Sequence, residues 1–133
     1  MLSRVLPYLS VIFPNRVELA GVSGTQDVMA GLQKLHAMGA FAIALKLGSE
    51  GSLLYRGGDV QTHAGFSVQV IDTTGAGDAF NAGYLRAMLD GAAPQYRLAL
   101  GNACGALTAG ANGGTGGLKS LAQAQMMFSE DLA

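Results

Sequence analysis

Charge is scarce in this chain: Asp, Glu, Lys and Arg make up only 13% of the 133 residues, against roughly a quarter in an ordinary domain. The net charge is −1 and no Lys/Arg cluster occurs, which argues against a nucleic-acid partner held through phosphate contacts. Long apolar runs are missing too. The longest, residues 40–45, is far short of a membrane span, and the N-terminus carries Arg4 but is broken by Pro7 and Pro14 without a secretory cleavage site. The single cysteine, Cys104, cannot form an intrachain disulfide, so nothing points to an oxidising compartment and the cytoplasm is expected. Its neighbours, Asn102-Ala103-Cys104-Gly105-Ala106, suit a buried structural thiol better than a nucleophile. His36 and His63 are too isolated to form a metal pair. His36 falls late in an expected helix, where it favours the helix dipole, and His63 ends an expected strand.

What the chain does have is apolar content of 50% and 20 glycines, enough for a sizeable core built from a buried sheet with tight turns. Residues 2–9 read as a short helical remnant and residues 10–13 as an apolar strand stopped by Pro14. Residues 25–38 read as an amphipathic helix, with Val28, Leu32, Leu35 and Met38 on one stripe and Gly39 as its stop. The apolar residues 41–47 suit a strand buried on both faces, and the strand-helix-strand order implies a parallel, right-handed crossover. Glycine turns at 48–51 and 57–59 lead into strands at 52–55 and 60–63, giving antiparallel hairpins. Residues 76–89 form an expected helix with Phe80, Leu85 and Leu89 facing inward, and Pro94 starts another running to Ala109. The glycine-rich residues 112–117 are an expected loop, and Ser120 caps a last helix towards Phe128. With no repeats and no linker, residues 1–133 are expected to form one α/β unit.

Asp72-Thr73-Thr74-Gly75-Ala76-Gly77-Asp78-Ala79-Phe80 is the most informative string, two carboxylates around a small-residue turn that opens an apolar helix. Gly75 and Gly77 leave backbone N–H groups bare, and the helix start adds its dipole, so an anion is favoured there. Asp78 among those amides can accept the proton of an attacking hydroxyl while the amides stabilise a phosphoryl group in transfer. As a bare pattern, an ordinary strand-to-helix turn with a favourable first-turn acid explains the same residues equally well. The whole string, continued by Asn81-Ala82-Gly83, closely resembles the C-terminal signature of the ribokinase-like (PfkB) carbohydrate kinase family.

That resemblance runs from Ser10 to about Leu121 and covers only the C-terminal portion of a family member. It implies a partial ribokinase-like, Rossmann-like three-layer α/β fold, mostly parallel with antiparallel hairpins. By position it also implies Asp78 as catalytic base and Gly75, Ala76 and Gly77 as the anion hole. Asn15-Arg16-Val17-Glu18 reads on its own as a helix cap with Glu18 reaching back. The family places an Asn-x-x-Glu motif here, which implies an indirect role for Asn15 and Glu18 in placing magnesium, as suits a hard ion held by few carboxylates and several waters. Lys46, Gly48, Ser49 and Gly51 resemble the family's ATP loop between two strands, although most such turns are plain hairpins. Asp72 reads as a turn-fixer bonding the amides of Thr73 or Thr74. The resemblance adds a potassium role for Asp72 and Thr74, with further ligands from carbonyls of residues 112–117, and places Asn102 beside adenine.

The implied activity is ATP-dependent phosphorylation of a sugar hydroxyl, with ATP and Mg2+, and K+ as an activator. The N-terminal portion, which carries most sugar contacts and the lid, lies outside the resemblance, so a fragment is expected; alone, its open strand edges would favour a homo-oligomer. Two alternatives stand beside this. One is a non-catalytic nucleotide-binding or association module, and the other a kinase for a nucleoside or a vitamin-precursor alcohol.

Overall fold

A computed structural model describes residues 1–129. Its elements in chain order are helix α1 (Arg16–Ser23), α2 (Val28–Ala37), strand β1 (Ile43–Lys46), β2 (Ser52–Arg56), β3 (Asp59–His63), α3 (Ala76–Leu89), α4 (Pro94–Ala109) and α5 (Leu121–Met126). Short 3-10 turns lie at Leu2–Arg4, Leu6–Tyr8 and Gly48–Glu50. Where the sequence suggests one α/β unit, residue contacts fall into two compact groups. The first is Met1–Gly48 with Ser52–Thr62, and the second is Ser49–Gly51 with the chain from His63 onward. Among the described residues no helix is long and apolar enough to cross a membrane.

In the first group the sheet order is β1-β2-β3, and β1 runs antiparallel to β2 with Ile43 opposite Tyr55 and Lys46 opposite Ser52. Gly57 and Gly58, both at positive φ (55° and 97°), make the two-residue reversal from β2 to β3 that only glycine enters without strain. The expected strand at residues 10–13 is reduced to bridges. Ile12 pairs in parallel with Ile43 and Asn15 with Lys46, through bonds such as Ala44 N–H to the Ile12 carbonyl at 2.9 Å. Parallel pairing is confined to these bridges, so the sheet of the described residues is small and antiparallel rather than mostly parallel. Parallel neighbours need crossover connections, and this stretch of chain supplies one. β1 is shorter than residues 41–47, and Phe41, 67% exposed, lies outside it. Leu19 of α1, Leu32 and Leu35 of α2, and Ile43, Leu45, Leu53 and Tyr55 of the strands form the core, with Leu6 sealing it. Each fully buried Leu or Ile contributes about 1.5–3 kcal/mol. α2 starts three residues later than the expected residue 25, because the Asp27 side chain accepts the Ala30 N–H at 2.7 Å and fixes the cap there.

In the second group α3 and α4 have the bounds the sequence leads one to expect. The inward face of α3 differs. Phe80, Gly83, Tyr84 and Ala87 are buried, whereas Leu85 and Leu89 are 37% and 80% exposed. Close approach of the two helices explains this. A methyl on Gly83 would lie 2.8 Å from Cys104 Sγ and from the Leu100 carbonyl oxygen, and one on Gly101 would lie 2.9 Å from the Phe80 ring. The seam is made by small residues at helical spacing, so the bulky leucines fall on the other side. Burial also raises the Cys104 thiol pKa, keeping it protonated, as suits a structural cysteine. Ser120 caps α5 by accepting the Gln123 N–H at 3.1 Å, and Phe128 packs edge-on to Tyr96.

Candidate active site

The turn before α3 is built from both its ends. Asp72 Oδ1 accepts the Thr74 N–H at 2.9 Å and Asp72 Oδ2 accepts the Gly113 N–H at 3.1 Å, so one carboxylate ties the turn to the glycine-rich loop. Hydrogen bonds from Thr74, then that from Gly113, hold its pKa below the usual carboxylate range. The turn-fixing bond expected of Asp72 is therefore present, on Thr74. Gly75 follows in the left-handed region (φ 76°) as the N-cap of α3, and a methyl there would lie 3.1 Å from the Gly114 carbonyl oxygen. Only glycine meets both demands.

Ala76, Gly77 and Asp78 occupy the first turn of α3. The Ala76 N–H donates to the Thr73 carbonyl at 3.1 Å, and no side chain caps the helix. First-turn amides have no partner within a helix, so those of Gly77 and Asp78 face the helix start with the positive dipole end. Asp78 is exposed and makes no hydrogen bond or ion pair among the described residues. A carboxylate so placed is available to take a proton from an incoming hydroxyl.

Asn15, Glu18 and Lys46 come together in the first group. Asn15 Oδ1 accepts the Glu18 N–H and Glu18 Oε2 accepts the Asn15 N–H, each at 2.8 Å, a complete capping box. Asn15 sits opposite Lys46 through the parallel bridge. Among the described residues no three His, Cys, Asp or Glu side chains converge as a metal cluster.

Gly48 and Gly51 both take positive φ (62° and 90°) around the Gly48–Glu50 turn. Within the second group Gly51 crosses the chain leaving β3 at closest range, and a methyl on it would meet the His63 carbonyl oxygen and the Gly65 backbone. Asn102, on α4 and 8% exposed, directs its amide nitrogen to His63 Nδ1 at 2.9 Å and to the His63 carbonyl at 3.5 Å. His63 is the functional-site candidate that the sequence does not reveal, since Asn102 is 39 residues away. A shallow groove of about 520 Å³ lies between residues 68–71, the end of α4 and residues 116–119. Gly116 and Gly117, from the loop expected to lend carbonyl ligands, line it, and none of the other expected site residues does.

Residues 1–121 match the model of the pfkB family carbohydrate kinases. A fructokinase from Klebsiella pneumoniae is 35% identical over 121 residues, covering 84% of this chain and 39% of the relative. Among solved structures, the ribokinase from Arabidopsis thaliana complexed with ribose and ATP superposes with TM-score 0.86 at 27% identity, over 94% of this chain and 42% of that one. A double-mutant fructokinase from Vibrio cholerae in its fructose, ADP and potassium-bound form gives TM-score 0.80 at 28% identity, over 92% and 42%. The chain spans about a quarter to two fifths of the curated relatives it matches. With a family model matched over most of its length and the ribokinase-like fold shared with these neighbours, the chain belongs to the pfkB family of carbohydrate kinases.

Proposed function

We propose that this chain is the ATP-binding and catalytic-base part of a cytoplasmic kinase that transfers the γ-phosphoryl group of ATP to a sugar hydroxyl. The observation that carries the reading is the open start of α3, with Asp78 unpartnered in its first turn beside a glycine N-cap fixed against Gly114. Asp78 accepts the hydroxyl proton, the freed oxygen attacks the γ-phosphorus, and the bond to ADP breaks. The amides of Gly75 and Gly77 stabilise the charge on the phosphoryl oxygens, whereas that of Ala76, the third amide expected there, is engaged by the Thr73 carbonyl. Support for the ligands comes from the Arabidopsis thaliana ribokinase, complexed with ribose and ATP.

The Gly48, Ser49 and Gly51 turn, Lys46 and Asn102 are the proposed nucleotide contacts. Glu18 fits water-mediated magnesium better than direct ligation, because one of its oxygens is committed to the Asn15 amide and, among the described residues, it belongs to no group of three or more metal-ligating side chains. Magnesium, when bound, neutralises phosphate charge. Asp72 and Thr74, joined to the loop at Gly113, are the proposed potassium ligands, in keeping with the potassium-bound fructokinase.

Coupled ATP consumption with a panel of sugars and nucleosides tests the reading. Acceptor-dependent turnover is expected, with a sugar as the preferred acceptor. ATP binding without turnover on any acceptor would instead favour a nucleotide-binding module, a reading prompted by the share of the relatives that this chain spans.

A further inference from the structure

We propose that His63 is a positioning residue that sets the purine preference of the nucleotide site by fixing which end of the Asn102 carboxamide faces away from it. This rests on the reading above that Asn102 borders the base.

The Gly65 N–H donates to His63 Nδ1 at 3.0 Å. A backbone N–H can only donate, so Nδ1 is the bare nitrogen and the ring carries its proton on Nε2. The Asn102 amide lies 2.9 Å from the same Nδ1, and a bare nitrogen repels a carbonyl oxygen, so the NH2 end must face it. The second contact agrees, because the same NH2 end is 3.5 Å from the His63 carbonyl, another acceptor. Asn102 is left with Oδ1 as its unengaged end, an acceptor held in one orientation within a nearly buried side chain. His63 is itself held. The Gly51 backbone crosses directly over its carbonyl, and the Phe66 ring lies 5.2 Å from the imidazole. Gly51 and Asn102, far apart in sequence, thus meet at one histidine. An outward acceptor pairs with the 6-amino group of adenine and opposes the 6-oxo group of hypoxanthine. Without the His63 imidazole the carboxamide keeps only the longer 3.5 Å contact to the backbone carbonyl, so it turns over more readily and serves either base.

The test titrates the chain with ATP and with inosine triphosphate, whose base has a 6-oxo group and an N1 proton where adenine has a 6-amino group and a bare N1. Wild type is expected to prefer ATP by about five- to tenfold, the range of one neutral hydrogen bond. His63→Ala should bring the two affinities within about twofold of each other, and His63→Asn, whose side-chain oxygen can stand in for Nδ1, should restore the preference. Long-range proton–nitrogen spectra of the wild-type imidazole, which need no variant to fold, should show Nδ1 unprotonated. A protonated Nδ1, an unchanged preference in His63→Ala, or a wild type that binds both nucleotides equally overturns the proposal while leaving the nucleotide site standing. Failure of wild type to bind either nucleotide overturns both.

Discussion

Helices α1 and α3 each carry a carboxylate at the third helical position, Glu18 and Asp78, yet the two starts are put to opposite uses. In α1 the cap residue is Asn15, and the two side chains satisfy each other's backbone amides at 2.8 Å. In α3 the cap residue is Gly75, which has no side chain to offer, and Asp78 makes no hydrogen bond among the described residues. The same offset therefore gives a closed helix start in one place and an open one in the other. The closed start stabilises the fold locally. The open start leaves amides, dipole and carboxylate for a ligand. The identity of one cap residue makes the difference.

Substitutions at the two caps sharpen the contrast. The largest effect on stability is expected from Gly75→Ala, because the methyl needs a positive φ and presses on the Gly114 backbone at 3.1 Å. Unfolding by urea should show a loss of about 1–3 kcal/mol. Asn15→Ala opens the closed start and should cost about 1 kcal/mol in the same measurement, with no steric strain involved. If the two losses were equal to that of a surface alanine substitution elsewhere, the caps would not distinguish the helices. The smallest effect concerns pH. Asp72 has its pKa lowered in the fold by the bonds from Thr74 and Gly113, so its contribution is present above the unfolded carboxylate value of about 4 and is lost as pH falls through the lower folded value. Protection of the Gly113 amide relative to its intrinsic exchange rate should therefore fall on acidification below about pH 4, and Asp72→Asn should abolish that dependence.

Much of this was legible beforehand where punctuation is strong. Gly75 and Pro94 mark the starts of α3 and α4, and Asn15 with Glu18 spells the capping box that forms. The inward face of α3 was not, because leucine spacing points to Leu85 and Leu89 while the contact is set by Gly83 and Gly101, whose role depends on a second helix. Residues 10–13 make only isolated bridges where their apolar run suggests a strand, since such a run specifies burial but not how many ladder bonds its partner supplies. At the site, Asp72 and Asp78 are separated by turn chemistry that local sequence carries. The His63 to Asn102 contact joins residues 39 positions apart, and no local pattern announces it.

The central claim is that the open start of α3 serves chemistry rather than stability, and Asp78→Asn tests it most directly. Acceptor-dependent turnover of the variant, measured at saturating ATP alongside its ATP affinity and unfolding free energy, is expected to fall about 10²–10⁴-fold with ATP binding retained and stability within about 1 kcal/mol of wild type. Turnover equal to wild type would contradict the account.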